Sequence, residues 1–176
     1  MLGLIFSSTI PAKFFRDLED LIFFNGEQWR ARGAIVEALE RYGEPRIVRE
    51  DETLRVDVTR RQDAQCLFAL VEEDDFSALA GIVIYLRTDI ETLHILYLAV
   101  SDGFSLGDNT DAAPLVLGLV QEIRRIAGRL HGVRRVTLMK AQGGNFHITV
   151  RREPQARPAD IAGTRVPAAT GVLITR

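Results

Sequence analysis

Residues 96–138, LYLAVSDGFSLGDNTDAAPLVLGLVQEIRRIAGRLHGVRRVTL, decide the fold. They read as a strand, a loop, an amphipathic helix and a second strand. In the helix, expected from about Ala112 to Leu130, the residues Leu115, Leu119, Val120, Ile123, Ile126, Ala127 and Leu130 form one stripe opposite Gln121, Arg124, Arg125 and Arg129. Such a face must cover a sheet. A strand, a covering helix and a returning strand form a right-handed crossover, so RRVTLMK is expected to run parallel to LHILYLAV. AQGGN then turns into FHITVRR, a further antiparallel strand.

Upstream, TLRVDVTR alternates as a half-buried strand should, and QCLFALVEE and LAGIVIYLRT follow with little polar interruption. Asp74-Asp75 is the turn between the last two. Thr88 to Thr92 carries the polar residues of a hairpin, so LAGIVIYLRT should turn antiparallel into LHILYLAVS and complete a meander. At the amino end MLGLIFS is a first strand, and Ser8, Thr9 and Pro11 make a helix start. From Ala12 to Phe24 the apolar positions Phe14, Phe15, Leu18, Leu21, Ile22 and Phe24 recur at helical spacing, and Asn25-Gly26 stops that helix. A second helix is expected over about Glu27–Tyr42, with Trp29, Ile35, Val36 and Leu39 toward the core and Gly43 as its stop.

At 176 residues the chain fits one domain, 1–152, followed by a tail, 153–176, where PQARPADIAGTRVPAAT holds three of the six prolines and GVLITR offers a short edge strand. Hydrophobic residues make up 47% and charged residues 26%, the balance of an ordinary globular protein rather than a disordered one. The net charge of −2 contains no basic block, which argues against a nucleic-acid partner. Stretches such as LAGIVIYL are about half the length of a membrane span, and no basic residue precedes the first apolar stretch, so neither a membrane segment nor a signal peptide is expected. The single cysteine, Cys66, lies in CLFALV as a buried apolar residue, in keeping with a reducing cytoplasm.

The order strand, two helices, antiparallel strands, helix, strand, further strand resembles the GNAT N-acetyltransferase superfamily over about residues 1–150. LAGIVIYLR, LHILYLAV, the following helix and GVRRVTL are similar to that family's central strands, its cofactor-side helix and the strand splayed from its neighbour. The resemblance implies an α/β (α+β) fold, a mostly antiparallel twisted sheet of six or seven strands with helices on both faces. It also implies acetyl-CoA or another acyl-CoA as cofactor, and a small amine or a protein as substrate.

The family's cofactor loop carries Arg or Gln, two spacers, Gly, one residue, and Gly or Ala. Its glycines let the backbone approach a pyrophosphate, and the amides at the helix start hold the anion. The equivalent stretch here, SDGFSLGDNTDAAP, has Gly103 and Gly107 as its only glycines, no Arg or Gln, and carboxylates at Asp102, Asp108 and Asp111. Asp111 reads as a helix cap with Pro114 in the first turn, occupying donors that a phosphate would need. The cofactor-binding candidates are therefore backbone groups of Leu98, Val100, Gly103 and Gly107, with Asn109.

Acetyl transfer needs a base or relay for the amine and an acid for the leaving thiolate. Glu91, His94 and Tyr97 are the candidates. Their structural alternatives are a solvated turn carboxylate, a cross-strand histidine and a core ring with a wet hydroxyl. His131 and His147 have no metal-ligand spacing, so no metal site is expected. Two functions follow: a GNAT-like domain that has lost standard acetyl-CoA binding and serves as a binding or interaction module, or an N-acyltransferase with an altered loop. The apolar ends and strand edges suggest a homodimer formed through an exposed strand.

Overall fold

The computed structural model describes residues 3–73, 76–104, 112–139 and 145–150. The chain opens with strand β1 (Gly3–Ser7) and the short β2 (Ile10–Pro11). A helical run follows in three parts: a 3-10 turn (Ala12–Phe14), the α-helical turn α1 (Phe15–Glu19) and a π-helical turn (Asp20–Phe24). After Asn25, whose ψ of 122° breaks the helix, a 3-10 turn (Gly26–Ala31) leads into α2 (Arg32–Tyr42). The strands β3 (Pro45–Glu50), β4 (Thr53–Val58), β5 (Gln65–Glu73), β6 (Phe76–Arg87) and β7 (Thr92–Val100) come next. Helix α3 (Ala112–Arg129), β8 (Arg135–Met139) and β9 (Asn145–Thr149) complete the described elements.

A six-stranded mixed sheet runs in the order β1-β5-β6-β7-β8-β9, and a separate three-stranded sheet in the order β2-β4-β3. All neighbours in the large sheet are antiparallel except β7 and β8, which pair parallel from Thr92–Arg135 to Ile95–Leu138. β7 and β8 are thus parallel, as residues 96–138 predict. TLRVDVTR was expected to lead into the same meander, and this is corrected: β4 pairs with β2 and β3 and stands outside the large sheet. Its alternation is nevertheless real, with Leu54, Val56 and Val58 buried. The partner β3, PRIVRE, carries a Pro and charges around Ile47 and Val48, so its apolar pattern is short.

The large sheet is buried on both faces, which is why β5 and β6 read as nearly continuous apolar runs. On one face Phe68, Ile82, Ile84 and Leu86 pack against Phe14, Leu18, Leu21 and Ile22 and against the small sheet. On the other, Val83, Leu93 and Ile95 pack against Leu115, Leu119, Ile123 and Ala127 of α3. Gly81 allows the close approach of α3, since a Cβ there would lie 3.1 Å from Leu119 Cδ1 and 2.9 Å from the Ala99 carbonyl. Cys66 is buried, its thiol pushed up from its ordinary pKa by burial.

Four residues expected on the apolar faces of the first two helices are on the surface: Phe15 is 39% exposed, Phe24 73%, Trp29 70% and Val36 45%. The segment holding Trp29 is a 3-10 turn, which advances about 120° per residue instead of 100°, so the phase of α2 does not extend back to it. Val36 sits beside Ile35 at the border of the stripe that carries Ala38, Leu39 and Tyr42. Among the described residues no helix is long and apolar enough to cross a membrane. Asp74-Asp75, Asp111 and GVLITR lie outside the described residues.

Candidate functional site

The register between β6 and β7 shifts at one point: Ile84 faces Tyr97 and Tyr85 faces Ile95, leaving Leu96 as an extra residue in β7. A bulge of this kind resets which face a strand presents. Leu93 and Ile95 point toward α3, but Leu96 and Tyr97 both join the core beneath α1 and α2, as does Ala99, while Leu98 and Val100 return to the α3 face. The ladder beyond the bulge is fixed by the bond from Ser101 N–H to the Ala80 carbonyl at 2.9 Å. Alternation of an antiparallel ladder then turns the N–H and C=O of Val100 and of Leu98 away from β6. These are the strand positions expected to offer backbone groups to a cofactor, and the described pairing with β8 stops short of them at Ile95.

One of those groups is taken. Asn25 Nδ2 donates to the Val100 carbonyl at 2.9 Å. Four and three residues earlier in the chain, the Leu21 and Ile22 carbonyls of the π-turn, which lies at a helix end, are capped by side chains. Tyr97 O–H donates to the Leu21 carbonyl at 2.7 Å, and Gln28 Nε2 donates to the Ile22 carbonyl at 2.6 Å and to Tyr97 Oη at 3.0 Å. Carbonyls only accept, so the amide nitrogen faces Ile22 and Tyr97 Oη accepts from Gln28, while the tyrosine proton goes to Leu21 rather than to the more distant Ile22 carbonyl at 3.4 Å. Burial pushes the Tyr97 pKa up to about 12, with the Gln28 amide pulling weakly the other way. Tyr97 is thus protonated at neutral pH, its proton held on a backbone carbonyl.

The other two expected catalytic residues stand elsewhere. Glu91, in the hairpin before β7, ion-pairs with Arg134 at 3.5 Å and Arg135 at 3.9 Å, and its carbonyl accepts from both their amides. Six residues of strand, about 20 Å, separate it from Tyr97. His94 is 6% exposed, with Nδ1 against Thr137 Oγ1 of β8 and its ring 6.0 Å from the Tyr42 ring. Among the described residues its Nε2 has no hydrogen-bond partner. Burial holds its pKa below the ordinary histidine range, Arg41 acts in the same direction, and Glu37 opposes them. The structure does not bring Glu91, His94 and Tyr97 together.

The stapled end of the first helical run separates two clefts. One, of about 450 Å3, is lined by Asp17, Asp20, Phe24, Asn25, Ser77 and Phe104 among others. The second, of about 390 Å3, lies between α2 and the bulged part of β7, with Gln28, Ile35, Leu39, Leu96 and Tyr97 in its walls. Gly103 sits exposed in a 3-10 turn (Asp102–Phe104) that follows β7. Gly107 and Asn109 lie outside the described residues. Among the described residues no group of His, Cys, Asp and Glu is placed to hold a metal ion.

Asn25 and Gln28 are the site residues that the sequence did not reveal as such. Asn25 has the signature of a helix stop, and its bond to Val100 spans 75 positions. No local pattern encodes that distance. In comparisons with known proteins, no family model matches the chain, and neither a curated protein nor a solved structure matches it significantly.

Proposed function

We propose that the chain is a diverged GNAT-like domain that works as a binding module and has lost standard acetyl-CoA binding. The observation that carries this reading is the bond from Asn25 to the Val100 carbonyl. It occupies a backbone group on the strand edge where a pantetheine-like arm would need partners, and it lies beside a tyrosine whose proton is already committed. Support for GNAT-likeness comes from the order of elements and from helices on both faces of a sheet whose parallel pair flanks the α3 crossover. A reducing cytoplasm, as the single buried Cys66 suggests, belongs to the same reading.

A homodimer through β1 is part of this proposal. Among the described residues β1 is an edge strand, with Leu4 39% and Ile5 44% exposed, and it carries none of the charges or prolines that usually guard an edge. The acyltransferase reading keeps one observation in its favour, the outward backbone of Leu98. Titration of acetyl-CoA into labelled protein, followed by the backbone amides of Leu98 and Val100, tests between the two. The binding module predicts unmoved amides; saturable shifts at both would establish the cofactor site.

A further inference from the structure

We infer that the cleft between α2 and the bulged stretch of β7 binds a small hydrophobic cation, an ion with an apolar body and an N–H-bearing head. The inference deepens the binding-module reading and rests on it only in that no acyl group is transferred at the site.

The size and walls come first. About 390 Å3 is within the range of small-molecule sites, which are mostly apolar with a few convergent polar groups. The apolar walls are side chains of both helical segments and both sheets, among them Ile22, Ile35, Leu39, Val58, Ile84 and Leu96. The bulge makes this wall: without the extra residue at Leu96, strict alternation would not place Leu96 and Tyr97 side by side on it.

The polar inventory then selects the ligand. The lining carries only two side-chain donors, Gln28 and Tyr97, and both are spent within the described residues, as are the backbone N–H groups at the end of α2. Both hydrogens of Gln28 Nε2 are used on Ile22 and Tyr97, and the Tyr97 proton is used on Leu21. At the corner where α2 ends, Gly43 N–H bonds the Leu39 carbonyl, Glu44 N–H bonds Thr59 Oγ1 at 3.0 Å, and Pro45 has no N–H. What remains is acceptors: Gln28 Oε1 and the Glu44 carboxylate, which is exposed and has no ion pair with another described residue. Arg60, beside this corner, directs Nη1 to the Glu40 carbonyl at 2.8 Å and does not line the cleft. The half-exposed ring of Phe23 on the same lining adds an aromatic face, which attracts cations. A carboxylate or phosphate in this cleft would lose its hydration and meet no donor, whereas an ammonium or guanidinium head meets acceptors and a charge of opposite sign.

The test uses three probes with one six-carbon body, hexylammonium, hexanol and hexanoate, titrated into the full chain while the methyl resonances of Ile22, Ile35, Leu39 and Leu96 are followed. Hexylammonium is expected to shift these methyls and to bind at least about tenfold tighter than hexanoate, with hexanol between them. Glu44→Gln, at an exposed position, should weaken hexylammonium several-fold and leave hexanol unchanged. Ile35→Trp, which fills the cleft from a partly buried helical position, should abolish all three. Hexanoate binding as tightly as hexylammonium, no methyl shift with any probe, or indifference to Ile35→Trp would each overturn the inference. None of these outcomes bears on acetyl-CoA, whose binding at Leu98 and Val100 would instead contradict the binding-module reading itself.

Discussion

Tyr97 O–H and the Leu21 carbonyl, 2.7 Å apart and separated by 76 positions, join the bulged part of β7 to the π-turn that ends the first helical run. π-turns leave backbone groups without their usual partners and recur at functional sites. Here the leftover carbonyls are consumed by Tyr97 and Gln28, and the ring that fills the gap is aimed by the bulge at Leu96.

Tyr97→Phe keeps the ring and removes the hydroxyl. It leaves the Leu21 carbonyl and one Gln28 hydrogen unsatisfied in a partly buried place, which should cost about 1 to 3 kcal/mol in urea unfolding. The pH dependence follows in sign. The folded-state value of about 12 lies above the ordinary 10, so this contribution is complete below pH 10 and is lost as the pH rises toward 12. The alkaline loss of stability should be smaller in Tyr97→Phe than in the parent chain.

Asn25→Ala removes the donor to Val100 while leaving the helix stop, because the backbone there is extended, with φ −61° and ψ 122°. The expected loss is about 1 kcal/mol, the net worth of one partly buried hydrogen bond. The Val100 and Ser101 amides should show the largest chemical-shift changes, and changes centred elsewhere would mean that the staple is not formed by this bond.

His94 gives an acid-side prediction. Burial depresses its pKa, so below about pH 6.5 the unfolded chain takes up a proton that the folded chain resists. Stability at this residue is therefore full above that value and falls with acidification. The charged groups that act on it, Arg41 and Glu37, both belong to α2. Replacing His94 with Leu should flatten this part of the profile between pH 7.5 and 5.5.

Gly43→Ala should be the most damaging of these changes. Gly43 ends α2 at φ 94° and ψ −179°, a conformation that side chains disfavour by about 1 to 3 kcal/mol, and an added Cβ would meet Thr59 Oγ1 and lie 2.8 Å from Arg60 N. A circular-dichroism melt would register the loss. Because Gly43 lines the cleft beside α2, the variant should also weaken hexylammonium binding.

The large sheet and its crossover were legible because they depend on local pattern. Seven apolar residues at helical spacing require a sheet beneath α3, and runs such as LAGIVIYL can be buried on both faces only inside a layered fold. The small sheet was not legible, since PRIVRE shows apolar character in Ile47 and Val48 alone and pairs with β4 across a turn at Asp51, whose φ is 52°. Trp29 was misplaced for a related reason, because the helical period changes at the 3-10 turn preceding α2. The candidate site was legible only in part. Leu98 and Val100 could be named as strand positions, but the bulge at Leu96 that orients their neighbours is a register event between two strands, and the bonds of Asn25 and Gln28 join distant segments.

Thermal unfolding with and without millimolar acetyl-CoA tests the central claim most directly. A ligand held only by the native state at 100 times its dissociation constant adds about 2.7 kcal/mol, which for a chain of this size raises Tm by about 5 to 10 °C. A binding module with Asn25 on the Val100 carbonyl predicts an unchanged Tm. A rise of that size would contradict it and return the chain to the acyltransferases.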